Sequence, residues 1–111
     1  MKTIELDMPT RVILEGMLGS QRGTLDSLAV PHDILNKIKL SDSDREPFMI
    51  TLRGTTTIDQ DALKAATGTV SLTVDLEKEE VRVLAKLSKT WEHFGQGDYV
   101  YVSALVKVLE A

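Results

Sequence analysis

The chain contains no cysteine. That excludes disulfide bridges, thiolate metal sites and thiol nucleophiles, and it fits a reducing, cytoplasmic setting. Aromatic residues are scarce, with one Trp, two Tyr and two Phe, so aliphatic side chains have to fill the interior. Long apolar runs are missing too. None approaches the roughly 20 residues needed to cross a bilayer, and the opening MKTIELDMPT lacks the basic-then-apolar layout of a signal peptide. Neither half has an excess of positive charge: residues 1–54 carry seven basic and eight acidic side chains and the remainder six and nine, for a net charge of −4. Non-specific nucleic-acid binding draws on clustered Lys and Arg, so nucleic acid is not an expected partner.

What is present suits a folded domain. The 111 residues are 42% apolar and 27% charged, an ordinary globular balance that one domain of this size can turn into a core without staples. The best periodic stretch is Leu76–Phe94. Val81, Leu84, Leu87, Trp91 and Phe94 recur at helical spacing, which predicts one core-facing stripe. Asp75 is the expected N-cap, with Glu77, Glu79 and Glu80 complementing the positive helix end and Lys86 and Lys89 the negative one. Gly95 and Gly97 are the expected stop.

Elsewhere, Asp7 or Met8 and Pro9 open a helix over about 8–18 that Gly19 ends. Residues 19–24 (GSQRGT) read as a loop. Pro31 removes an amide from any continuous helix, so a short turn at 24–29 and a separate helix at 31–38 are expected. Ser41 caps a further helical turn. Phe48–Arg53 alternates as a strand, Asp59 can cap a short helix over DALKAA, and Val70–Leu76 alternates as a second strand. The two strands are expected to pair antiparallel. Asp98 can cap a C-terminal helix over 98–110, although Val100, Val102 and the tyrosines also suit a strand. The expected fold class is α+β, with four to five helices and a two-stranded antiparallel hairpin, an order compatible with a winged helix.

Chemistry is thin. His32 and His93 have no second ligand at helical spacing, so no metal site or cofactor is expected. His93 suits a helix C-terminus, where a basic ring meets the dipole. No serine sits in a nucleophile turn, and the paired acids read as caps, so no catalytic residue is named and an enzyme is not expected. The best ligand-binding candidates are Ser20, Gln21, Arg22, Gly23 and Thr24, where glycines, hydroxyls and a guanidinium could cradle an anion, with Arg53 assisting. The loop lacks the spacing and the lysine of a P-loop. A winged-helix reader of DNA should have a basic recognition helix, and PHDILNKIK places Asp33 where that charge is needed. Tyr99, Tyr101, Val102 and Val108 exceed what one core-facing stripe of a C-terminal helix can bury, which makes them candidate interface residues for a protein partner or a second copy.

The segments VILEGMLGSQRGTLDSL, DILNKIKLSDSDRE and VDLEKEEVRVLAKL together resemble the layout of small uncharacterised proteins encoded by bacteriophages and prophages. The resemblance covers about two-thirds of the chain and brings no catalytic signature. It implies a small viral accessory protein of the host cytoplasm that binds a host or viral protein, such as an inhibitor of host defence. A sponge that sequesters an anionic nucleotide signal is the alternative it implies. Pro31 and FMITLR depart from the layout.

Overall fold

The computed structural model describes residues 1–111 as an α+β fold. Its elements run β1 (Lys2–Asp7), α1 (Met8–Gly19), α2 (Leu25–Ile38), α3 (Asp42–Arg45), β2 (Met49–Leu52), β3 (Thr55–Ile58), α4 (Gln60–Ala65), β4 (Val70–Leu76), α5 (Lys78–Thr90) and α6 (Tyr99–Leu109), with 3-10 turns at Glu46–Phe48 and Gln96–Asp98. There are thus six helices and two separate two-stranded antiparallel sheets, β1–β4 and β2–β3. No helix is long and apolar enough to cross a membrane.

Strand pairing differs from expectation. Val70–Leu76 pairs with the N-terminal strand, Ile4 facing Val74 and Leu6 facing Leu72, and not with the strand at Phe48–Arg53. The latter folds back on Thr55–Ile58 through a two-residue turn at Arg53 and Gly54, with φ of 53° and 80°. Two successive positive φ values match the right-handed twist of the flanking strands. The local hairpin closes a far shorter loop than the long-range pairing would. This hairpin pairs only with itself.

Ile4, Leu6, Val74 and Leu76 from the β1–β4 sheet share one core with Leu14, Met17 and Leu18 of α1, Ile34 and Ile38 of α2, Leu84 and Ala85 of α5 and Leu105 and Leu109 of α6. A smaller cluster of Met8, Leu40 and Leu63 lies beneath Phe48 and Ile58. Asp7 caps α1 as expected, accepting from the Thr10 amide at 2.9 Å, and its second oxygen takes the Gly68 amide at 3.0 Å.

The break expected before Pro31 is absent: Leu25–Ile38 is one helix that contains it. Thr24 caps the helix, Pro31 is buried, and Ile34 and Ile38 one and two turns later complete the inward face. Burial of that face outweighs the single helix bond that proline cannot make.

Helix α5 faces the core as expected, but its ends move. Glu77, not Asp75, occupies the N-cap. Glu80 folds back to accept the Glu77 amide at 2.8 Å and also holds Lys37 of α2 at 2.6 Å. Asp75 instead bonds Thr3 across the sheet. The helix stops at Thr90, before either glycine, because Trp91 turns to extended backbone and packs its ring on the core. His93 consequently lies beyond the helix. Likewise Asp98 caps the 3-10 turn, accepting from Gly95 at 2.9 Å, and makes no side-chain cap bond to α6. Residues 99–109 are helical, which resolves the ambiguity of that segment.

The Lys37–Glu80 pair predicts a pH dependence. Burial pushes the Glu80 carboxyl up, but the hydrogen bonds from Lys37 and the Glu77 amide, with the Lys37 charge, outweigh it and hold the group below its ordinary 4.5. A depressed carboxyl contributes stability above the unfolded pKa and loses it as pH falls through the folded one. Lys37 is raised above its ordinary 10.5, chiefly by its hydrogen bond to Glu80, so its contribution is complete below that value and fades as pH rises through the folded one. Thermal stability should therefore hold level near neutrality and fall below about pH 4.5. Glu80→Gln should flatten the acid limb of that profile; an unchanged limb would remove Glu80 as its cause.

Candidate functional site

The loop 20–24 joins α1 to α2, and most of its polar groups are already committed. The Ser20 hydroxyl donates to Gly16 O at 2.7 Å and the Gln21 amide to Met17 O at 3.0 Å, which satisfies carbonyls left free at the end of α1. Thr24 accepts from the Ser27 amide at 3.2 Å as the cap of α2. A side chain at Gly23 would meet only the end of the Ser27 side chain, whose hydroxyl would have to turn aside. Ser20, Gln21 and Thr24 of the expected cradle thus hold helix ends.

Arg22 is different. It is exposed, and none of the five ion pairs includes it. Gly19, Ser20, Gln21 and Arg22 face Trp91 and His93 across a hollow of about 630 Å³. The Trp91 and His93 rings meet edge to face, with centroids 4.9 Å apart and planes at 69°. No carboxylate lines this hollow, although the chain carries 17 acidic residues. The guanidinium offers a fork of donors for a phosphate or carboxylate, the imidazole offers another polar contact, and the half-buried indole offers an aromatic surface. Sequence reading missed Trp91 and His93 as partners of this loop, because each was placed on the helix now seen to end at Thr90. Their separation from the loop by about 70 residues of chain leaves no local signal.

Arg53 does not line the hollow; it occupies the β2–β3 turn with positive φ. The expected interface residues divide. Tyr101 and Val108 line a groove with Val70 and Val100 between α6 and the β1–β4 sheet. Tyr99 is exposed on another side of α6, and Val102 is only 5% exposed. The reason is register: Val102, Leu105 and Leu109 form the inward face of α6.

The buried polar group that sequence reading overlooked is Arg11. Its guanidinium donates to Ile38 O at 3.1 Å, Lys39 O at 3.0 Å and Ser71 Oγ at 2.9 Å, and its charge meets Asp44 at 3.4 Å. Every contact serves the scaffold, so this arginine clamps the end of α2 and is not a ligand group. No group of three His, Asp or Glu side chains is placed to hold a metal ion. No protein-family model, curated protein or solved structure matches the chain.

Proposed function

We propose that this chain is a non-enzymatic binding protein whose site is the hollow between the α1–α2 loop and Trp91, and that its ligand is anionic. The observation that carries the reading is the unpaired Arg22, set opposite Trp91 and His93 in a hollow without carboxylates. An anion there would gain charge-assisted hydrogen bonds and meet no opposing charge in the lining. Read with the resemblance to phage proteins, the function is sequestration of a small anionic signal in a bacterial host. Isothermal calorimetry against phosphate, pyrophosphate and a panel of nucleotides tests it. Binding should weaken about tenfold or more in Arg22→Ala, the loss of a charged hydrogen-bond pair. An absence of heat with every anion, or equal affinity in the variant, would sink the reading.

A second reading, association with a protein, rests on the apolar groove where Val70, Val100 and Val108 are 50%, 69% and 46% exposed. The occupant proposed is a second copy of the chain. Light scattering on a concentrated sample tests it, and a strict monomer would remove it.

A further inference from the structure

Trp91 borders a second hollow, of about 520 Å³, between the end of α5 and α6. Phe94, Tyr99, Val102 and Val106 give it apolar walls, and Lys89 and Lys107 stand in its lining. It too contains no carboxylate in its lining. Ser88 of α5 also lines it. Ser88 is 6% exposed, and its hydroxyl is the one buried side-chain polar atom in the molecule without a hydrogen-bond partner. Leaving a buried hydroxyl unpaired is unfavourable; this oxygen exposes less than 1 Å², so a ligand polar atom completes it once the Ser88 side chain turns toward the hollow.

We propose that the two hollows sharing Trp91 form one bipartite site for a nucleotide, with the phosphate at Arg22 and His93 and the base among Phe94, Tyr99 and Val106, its polar edge toward Ser88. This rests on the anion-binding reading above and adds the ligand class to it. A bare phosphate uses only the first hollow. A planar heterocycle carrying hydrogen-bonding edges uses the second as well: its faces suit the aromatic walls and its edge suits the Ser88 hydroxyl. Lys89 is partly engaged, holding Glu110 at 2.7 Å, whereas Lys107 has no ion-pair partner among the five.

The test compares pyrophosphate, adenosine, ADP and ADP-ribose on the full chain, read by calorimetry and by fluorescence of its single tryptophan. ADP or ADP-ribose should bind at least about tenfold more tightly than pyrophosphate. Ser103→Phe fills the second hollow from α6, and should remove that advantage while leaving pyrophosphate affinity unchanged. Ser88→Ala should weaken the nucleotides severalfold and spare pyrophosphate. If pyrophosphate binds and no nucleotide binds better, the base site is wrong and the anion site survives. If neither binds, both are wrong. If nucleotides bind tightly but Ser103→Phe and Ser88→Ala bind them like the parent, the base lies elsewhere and the proposal falls.

Discussion

Arg11→Ala should lower the unfolding free energy by about 3–5 kcal/mol, the scale of removing one partner from a buried charged network. The arginine side chain is only 4% exposed and donates to three different segments at once. Two of its acceptors, the carbonyls of Ile38 and Lys39, belong to the end of α2, where helix geometry leaves carbonyls without partners. A third is Ser71 of β4, and Asp44 brings in the capping box of α3. One turn along α1, Glu15 accepts the Leu40 amide at 2.8 Å and pairs with Arg45. Residues 11 and 15 of one helix thus hold the whole 38–45 connection. Alanine would leave the buried Ile38 carbonyl unpaired and a void together. Domains are stable by only about 5–15 kcal/mol, so chemical denaturation should show a large shift in midpoint. Arg11→Lys should recover little, because a point charge cannot reach three acceptors in a planar fork. A loss under about 1 kcal/mol in Arg11→Ala would show that water replaces the clamp at little cost.

Leu84→Ala should cost about 2–5 kcal/mol, the range for deleting a buried leucine side chain. Leu84 is fully buried at the centre of α5 and belongs to the core that also holds Ile4, Leu14, Ile34, Leu76 and Leu105. Every major element meets at this cluster, so no single helix can shift to fill the void. The neighbouring Leu87 is only half-buried, and Leu87→Ala should cost visibly less. Equal losses from the two, measured by urea unfolding, would contradict the packing described here.

These results depend on features of unequal legibility in the sequence. Helix α1 was readable because Asp7 and Pro9 sit where a cap and a first-turn proline belong. Ser41 and Asp59 likewise cap the helices they promise. The α5 stripe was readable because Val81, Leu84 and Leu87 keep helical spacing. Long-range pairing was not. Lys2–Asp7 alternates Ile4 and Leu6 with polar residues over a very short span, and nothing local says that its partner lies 70 residues away. The tight hairpin hid in Arg53-Gly54, since arginine rarely takes positive φ. Pro31 misled because local propensity argues for a break, whereas the buried face of α2 decides for continuity. As for the site, Arg22 stood out as a guanidinium between glycines. Its companions Trp91 and His93 were assigned to a helix, and only the turn after Thr90 carries them to the loop. Ser88 has no signature at all: its missing partner is a property of packing.

Trp91 lines both hollows, and as the chain's single indole it is directly observable. Amide and indole NMR signals followed during titration with ADP-ribose would test the shared site. The Trp91 indole N–H and the amides of Gly19–Arg22, Phe94 and Ser103 should shift together along one binding curve, while the β2–β3 hairpin stays still. Shifts confined to Val70, Val100 and Val108, or no shift of the indole at saturating nucleotide, would contradict it.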